Sequence, residues 1–352
     1  MRQDETHYPT RDEIEQWMLE ATKGYAEAQY QLGICHANGY GVTIDRKLAV
    51  KYFCCAAEQG HAEAQYQLGI CHYYGYGVPI NQSLAITHWE QAAEQGLARA
   101  QYQLGNCYYH GNGVDARLER AKHWYAKAGE QGHAEALYKL SMCCLDEEER
   151  FMWCEKAAEL GHAEAQLQMG MYYDAEDTWV VQPSYNKARY WFTKAAEHDT
   201  MMEPQSYLFE LDEEREQTEQ WMHKAEQGNP EALLKLAECY TFGKGTERNY
   251  RLAKEYYTRA RFFRSVDDTV DNYFLESDYQ ELMDYLDTLI QVEKWEEMAE
   301  QGDTDAMIQL SNYYEYDACY EDDLKPMRAI YWLRKAARIG DKQAQAILES
   351  NR

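Results

Sequence analysis

The chain has 352 residues and a formal net charge of −26 at pH 7. That charge argues against nucleic-acid binding and against anionic membrane surfaces, because Lys and Arg drive both, and it favours a basic protein as partner. No apolar run approaches the roughly 18 residues of a membrane span, and the N-terminal sequence MRQDETHYPTRDEIEQW has no apolar segment typical of a secretory signal. The sequence therefore predicts a cytoplasmic protein whose ten cysteines lie in a reducing environment.

The N-terminal part of the chain is built from a repeat of 36 residues. Residues 1–10 are predicted to form a tail, and residues 11–24 a capping helix that matches only the second half of a repeat. Close copies of one segment then begin at Ala26, Ala62, Ala98 and Ala134. Self-similarity at a fixed period predicts a stacked array, in which neighbours complete the core that one small repeat lacks.

Each repeat is predicted to be a helix, a turn and a second helix. In the first copy, good helix formers run from Ala26 to Asn38. Gly39-Tyr40-Gly41 then breaks the helix, because glycine accepts the backbone angles of a tight turn. Asp45 is placed to cap a second helix with an apolar stripe, and Gly60 is placed to end that helix.

The later repeats depart from this pattern. Residues 25–263 are predicted to hold repeats one to seven, of which four to six are irregular. Repeat four lacks the Gly-x-Gly turn, and repeat six has EPQSYLFEL and EQWMHKAEQG as its two helices. Residues 264–340 are predicted to hold two diverged, acidic repeats, eight and nine, and residues 341–352 a second capping helix. The prediction is an all-α solenoid of about nine antiparallel helix pairs.

The segment AEAQYQLGICHYYGYGV, followed by SLAITHWEQAAEQG, resembles the Sel-one-like repeat (SLR), a relative of the tetratricopeptide repeat. The alanine pair, the Leu-Gly step, the Gly-x-Gly turn and the AAEQG ending carry the resemblance, and three consecutive copies share it. It implies a right-handed superhelix of antiparallel helix pairs, used for protein–protein interaction and not for catalysis.

By this resemblance, positions two, five, nine and twelve of each first helix face a concave groove. Position five is tyrosine in four repeats and position twelve in two, namely Tyr30, Tyr66, Tyr102 and Tyr138, and Tyr73 and Tyr109. Tyrosine is enriched at interfaces because it offers apolar area together with a hydroxyl group. These tyrosines are therefore candidate partner contacts. The alternative is that they only pack one repeat against the next.

A second candidate surface is acidic. Between Ser265 and Asp323 the sequence holds 19 Asp and Glu residues and one base, Lys294. Such one-sided charge costs stability through self-repulsion, so it favours a docking surface for a basic partner, with a solubilising face as the alternative. The residues singled out as contacts are Asp267, Asp268, Asp271, Glu315, Asp317, Glu321, Asp322 and Asp323.

The sequence lacks the usual patterns of metal and catalytic sites. Cysteines recur at one position of the first helices, which is typical of small core residues: Cys35, Cys71, Cys107, Cys143 and Cys239. No CxxC or HExxH spacing is present, and the glycine turns lack the preceding strand of a phosphate loop. We therefore expect no metal, no cofactor and no enzymatic activity.

The sequence thus predicts a non-enzymatic interaction scaffold or adaptor. One alternative is an immunity or inhibitor protein that neutralises a basic toxin such as a nuclease, and the acidity fits this role. Another is a hydrolase built on the repeats, which would need a convergent polar pocket that the sequence does not indicate. The identity of the partner and the oligomeric state stay open.

Overall fold

The computed structural model describes residues 8–175, 178, 180–198, 203–264, 276–317 and 325–350. These residues form α-helices and one π-helical turn, Tyr313–Asp317, and contain no β-strand, so the all-α prediction is confirmed. The helices are α1 (Arg11–Thr22), α2 (Ala26–Asn38), α3 (Arg46–Glu58), α4 (Ala62–Tyr74), α5 (Gln82–Glu94), α6 (Ala98–His110), α7 (Leu118–Glu130), α8 (Ala134–Cys143), α9 (Glu147–Glu159), α10 (Ala163–Asp174), α11 (Tyr185–Ala196), α12 (Glu203–Glu226), α13 (Pro230–Phe242), α14 (Tyr250–Arg264), α15 (Glu276–Glu300), α16 (Thr304–Asn312), α17 (Lys325–Ile339) and α18 (Lys342–Ser350).

The chain divides between His162 and Ala163 into two compact units, which we call unit one and unit two. In unit one, α2 packs against α3, α4 against α5, α6 against α7 and α8 against α9. These helix pairs are repeats one to four. Within unit one, α3 also packs against α4, α5 against α6 and α7 against α8, so the core continues from repeat to repeat there.

The two glycines of the Gly-x-Gly turn are needed for different reasons. The first adopts a backbone conformation that favours glycine, and the second lies where there is no room for a side chain. Gly75 ends α4 in the left-handed conformation, with a φ of 78°, which is unfavourable for a residue with a Cβ. Gly77 lies against the preceding repeat, where an added Cβ would overlap the backbone carbonyl of Arg46. The side chain of Asn81 then caps α5 by accepting the N–H of Leu84 at 3.0 Å.

The Leu-Gly step allows the two helices of a repeat to approach closely. Leu68 is buried, and Gly69 faces the indole ring of Trp89 on α5. Trp89 is 1% exposed, and its Nε1–H donates to the backbone carbonyl of Tyr66 at 3.2 Å. The same approach recurs between Gly33 and Phe53, Gly105 and Tyr125, and Gly170 and Phe192.

Glutamines from the AEAQ and AEQG segments join neighbouring repeats. The amide of Gln101 in α6 donates to the carbonyl of Ala93 in the preceding repeat at 3.1 Å, and its oxygen accepts from Gln131 at 2.8 Å. Gln65 makes the same two bonds one repeat earlier, at 3.3 and 2.7 Å. A buried amide is costly unless it is hydrogen-bonded, so these bonds specify how one repeat sits on the next.

Unit two departs from the predicted helix pairs at two places. α12 is one continuous helix over Glu203–Glu226, where the sequence analysis expected both helices of repeat six. α15 is also a single helix over Glu276–Glu300, in the region assigned to repeat eight. Neither segment contains a glycine, and Pro204 in the first turn is the only proline, so nothing interrupts these helix formers.

Replacing Gly69 by alanine tests the close approach of α4 and α5. A Gly→Ala change inside a helix by itself stabilises by up to about 1 kcal/mol. At Gly69 the added Cβ overlaps the rigid indole of Trp89, and we expect the free energy of unfolding to fall by about 1–3 kcal/mol. Urea denaturation followed by circular dichroism measures the change.

Gly129→Ala is the matched control for this substitution. Gly129 also lies in a helix, but its added Cβ meets the aliphatic side chain of Leu137, at Cδ2 and Cγ, and not an aromatic ring. Because a leucine side chain can change its rotamer more easily than a buried indole can move, this variant should lose less stability than Gly69→Ala. Equal losses of stability in the two variants would contradict the account of the Leu-Gly step.

Candidate interaction surfaces

The position-five tyrosines of unit one are half-buried, and three of them stack on a histidine of the following repeat. The ring centroids are 4.7 Å apart for Tyr30 and His61, 4.8 Å for Tyr102 and His133, and 4.5 Å for Tyr138 and His162. Burial raises the pKa of Tyr30 and of Tyr102. These contacts are the inter-repeat packing that the sequence analysis kept as the alternative role of the tyrosines.

The histidines at this position link consecutive repeats. Nδ1 of His61 accepts the N–H of Ala64 at 3.2 Å and so caps α4. Nε2 therefore carries the ring proton of the neutral imidazole, and it donates to Glu27 in the preceding repeat at 3.0 Å. This hydrogen bond lowers the pKa of Glu27. His162 makes the equivalent bond to Glu135 at 2.7 Å.

Repeat three reaches the same arrangement with different residues. Leu97 replaces the histidine, and Arg99 stands where the other repeats have glutamate. The Arg99 guanidinium lies over the ring of Tyr66, 5.2 Å from its centroid, and donates to Glu63 at 2.6 Å. A cation thus covers the tyrosine where the imidazole is missing. Leu97 and Arg99 depart from the repeat pattern together, in the same repeat. This paired departure is visible in the sequence, but the repeat pattern alone does not explain it.

The position-twelve tyrosines lie near the turns. Tyr73 is half-buried against Trp89, at a centroid distance of 5.3 Å, and its hydroxyl accepts from Asn112 at 2.8 Å. Tyr109 is 41% exposed. The structure adds two exposed tyrosines that the sequence analysis did not select, Tyr74 and Tyr76, which are 50% and 42% exposed. The run of aromatic residues in CHYYGYGV was the available signal.

Within the described part of residues 265–323, most of the acidic residues lie on α15. Glu281, Asp284 and Glu300 are exposed, whereas Met283 and Leu286 of the same helix are buried. Of the acidic residues predicted as contacts, Glu315 is exposed and Asp317 ends the π-helical turn. The others, Asp267, Asp268, Asp271, Glu321, Asp322 and Asp323, lie outside the described residues.

Basic residues of α17 lie in the same unit as this acidic helix. The helix KPMRAIYWLRKAARI carries five bases and no acid. Arg328 donates to the carbonyl of Thr178 at 3.0 Å and lies over the ring of Tyr314, 5.5 Å from its centroid. Because α17 packs against α16 and the π-helical turn, part of the acidic charge is offset within the chain.

The sequence pattern of the Sel1 repeat matches seven segments that together cover more than half of the chain. The matched residues are 26–61, 62–97, 98–133, 134–162, 163–199, 230–261 and 304–341. The chain belongs to the Sel1 repeat family. The resemblance seen in the sequence is thereby confirmed. A comparison with curated protein sequences finds no match.

Solved structures of other Sel1 repeat proteins are similar to this chain. A protective antigen of uropathogenic Escherichia coli strains, described as having an SLR fold, is 28% identical with a TM-score of 0.51; the match covers 96% of this chain and 66% of the antigen. A Sel1 repeat protein from Oxalobacter formigenes is 23% identical over 71% of this chain and 99% of its own, with a TM-score of 0.47. An immunity protein from Pseudomonas aeruginosa is 18% identical over 70% and 84%, with a TM-score of 0.34, a value that carries no functional argument.

Most of the described cysteines of this Sel1 repeat protein belong to its core. Six of the nine cysteines within the described residues are buried. Burial raises the pKa of Cys71 to about 11 and that of Cys107 to about 12, so these thiols stay protonated at neutral pH. In the described part of the chain, no group of three or more His, Cys, Asp or Glu residues is arranged to hold a metal ion. Nor does any helix described there combine the length and hydropathy of a membrane span.

A polar cluster in unit two surrounds the carboxyl group of Glu296. This group accepts hydrogen bonds from the hydroxyl of Tyr314 at 3.1 Å and from the amide of Gln182 at 2.6 Å. Burial raises the pKa of Glu296 to about 7, although Tyr314, Arg328 and Arg248 act in the opposite direction. Gln182 and Thr178 belong to the long turn of repeat five, so the cluster fastens that turn to α15 and α17.

Raising the pH from about 5 to about 8 should destabilise unit two through Glu296. Its pKa is about 7 in the folded chain and 4.5 for the free group, so between these values the folded chain holds a proton that unfolding releases. The contribution of the protonated group is therefore complete below pH 4.5 and is lost as the pH rises toward 7. We expect the free energy of unfolding to fall by about 2 kcal/mol over this range.

Urea denaturation at a series of pH values measures this slope. Glu296→Gln should remove it, because the amide accepts the same hydrogen bonds and does not titrate in this range. Glu281→Gln is the matched control, an exposed glutamate on the same helix that is not among the groups acting on Glu296, and should keep the slope of the unaltered chain. An unchanged slope in Glu296→Gln would refute the assignment.

Proposed function

We propose that this protein is a non-enzymatic interaction scaffold that binds a basic partner protein through its acidic α15 and further partners through the repeats of unit one. Sel1 repeat proteins are generally scaffolds for protein interaction, which supports the class of function. Buried thiols such as Cys71 and Cys107 suit a reducing compartment, and we propose a cytoplasmic location on that ground.

The charge and the exposure of α15 are the observation that supports a basic partner. Between Ser265 and Asp323 there are 19 acids and one base. In the described part of this segment, exposed carboxylates such as Glu281 and Asp284 point to solvent from a helix whose apolar side is buried. Carboxylates held by a folded helix attract a basic surface at lower entropic cost than carboxylates on a flexible chain.

An inhibitor of a basic toxin is the second candidate function. The same acidity supports it, because a cationic nuclease site is a natural target for a rigid acidic helix. The two roles differ in what they bind. A scaffold has several partners, some of them held through neutral contacts in the repeats, whereas an inhibitor has one strongly basic partner whose affinity falls steeply with salt.

Affinity capture with two charge variants tests the proposal. The first variant combines Glu281→Gln, Asp284→Asn and Glu300→Gln on α15. The control combines Glu210→Gln, Glu213→Gln and Glu216→Gln, which are exposed on α12 and change the net charge equally. Full-length chains capture proteins from a lysate of the source organism at low salt and at about 0.5 M salt, where screening shortens to a few ångströms.

We expect basic proteins at low salt with the unaltered chain and the α12 variant, and their loss at high salt or with the α15 variant. One basic partner would favour the inhibitor, and an additional salt-resistant set would favour the scaffold. Equal capture by both variants would contradict a role for α15.

A further inference from the structure

Three tyrosines and an arginine form one cluster at the turn of repeat two, which we call the turn patch: the exposed Tyr74, Tyr76 and Arg46 and the half-buried Tyr73. Tyr74 meets the edge of Tyr73, with centroids 4.8 Å apart, and stacks with Tyr76 at 5.6 Å. The guanidinium of Arg46 lies 5.0 Å from the centroid of Tyr76. The patch thus presents aromatic rings next to a positive charge, a combination enriched in binding hot spots.

The equivalent turn in repeat one is contacted by another part of the chain. Tyr40 occupies there the position of Tyr76, 36 residues earlier. The ring of Tyr8 meets Tyr40 edge to face, with centroids 5.3 Å apart and planes at 89°. Tyr8 precedes Pro9 and Thr10, and the backbone of Thr10 is extended. The turn of repeat one therefore already holds an aromatic side chain carried by an extended segment, whereas within the described residues Tyr76 contacts the ring of Tyr74 and the guanidinium of Arg46.

The charge beside the turn patch is opposite to that of the whole chain. Arg46 and Lys47 are exposed at the start of α3, and Asp45 is engaged as the cap of that helix. The adjoining turn of repeat three borders an open cleft of about 740 Å³, lined by Tyr108, Gly111, Gly113, Val114, Asp115, Arg117 and Arg120. The acids beside this cleft are Asp115, Glu119 and Glu90, whose carboxylate accepts from the hydroxyl of Tyr108 at 3.3 Å, so the cleft is not basic. The local positive charge beside the turn patch is that of Arg46 and Lys47, in a chain whose net charge is −26.

We infer that the turn patch docks an extended, acidic segment of a partner protein that carries an aromatic residue. The aromatic ring packs against Tyr74 and Tyr76, as Tyr8 packs against Tyr40, and the acidic residues face Arg46 and Lys47. The inference rests on the proposed role in protein interaction. This inference concerns a different surface and a different partner: the partner of α15 is basic, whereas the partner of the turn patch is acidic.

Three fluorescent peptides provide the probes, each tested against the full chain by fluorescence anisotropy. The first has the sequence of residues 3–10, QDETHYPT, because its Tyr8-Pro9 unit already meets the equivalent turn and two acids precede it. The second carries Tyr8→Ala. The third carries Asp4→Lys and Glu5→Lys. We expect the first peptide to bind at least about fivefold more tightly than either of the others at low salt.

Protein variants locate the binding. Combined Tyr74→Ala and Tyr76→Ala should weaken the first peptide about tenfold, and Arg46→Glu should weaken it mainly at low salt. Tyr190→Ala is the matched control, since Tyr190 is 54% exposed in unit two, and should bind the peptide unchanged. Circular dichroism shows whether each variant is folded. If the combined Tyr74→Ala and Tyr76→Ala variant does not fold, the affinity of the Arg46→Glu variant alone decides the question.

Two results would overturn the inference. One is equal binding of the Tyr8→Ala peptide, and the other is full affinity of the Arg46→Glu variant and of a folded tyrosine variant. Tighter binding of the lysine peptide, lost with the α15 triple variant, would also reject the turn patch while leaving the proposed function intact. If no basic partner depends on α15 while the first peptide binds normally, the role of α15 is rejected and the turn patch is kept.

Discussion

The structure depends on contacts between neighbouring repeats, because one helix pair is too small to bury its own apolar face. Two kinds of contact fix the position of each repeat of unit one on its neighbour. Glycine in the Leu-Gly step allows a large ring such as Trp89 to reach the backbone of the first helix. Glutamines such as Gln101 then bond to the carbonyl groups of the preceding repeat. Apolar area supplies the stability, and the directional hydrogen bonds supply the register.

The same requirement decides which residues are left for a partner. A first-helix tyrosine such as Tyr102 stacks on His133, and its hydroxyl donates to Glu135 of the next repeat at 3.4 Å. Part of the surface predicted as a row of partner contacts is therefore used for packing between repeats. Tyr74 and Tyr76, at the turn of repeat two, are more exposed than these position-five rings and adjoin the exposed Arg46. In unit two the exposed carboxylates of α15 offer the opposite charge. Two surfaces of different chemistry suit a protein that holds more than one partner.

The sequence was sufficient for the architecture wherever the repeat was regular. The period of 36 residues and the glycine turns located α2 to α7 almost to the residue, because glycine, alanine and the helix caps act locally. The single helices α12 and α15 were not predicted, because half-matching motifs suggested two helices in each segment. No breaker residue is present there to separate two helices. Contacts across 30 or more residues were also not predictable. The bond from His61 to Glu27, and the substitution of that pair by Arg99 and Glu63, depend on how the repeats are placed in space.

The central claim is that the position-five tyrosines hold the repeats together, while the turn tyrosines are available to a partner. Urea unfolding of Tyr102→Ala and Tyr74→Ala tests it most directly. The account predicts that Tyr102→Ala lowers the free energy of unfolding by about 2–3 kcal/mol, since stacking and a hydrogen bond to the next repeat are lost. It predicts a loss below about 1 kcal/mol for Tyr74→Ala, which is half exposed. Equal losses, or a larger loss for Tyr74→Ala, would contradict it.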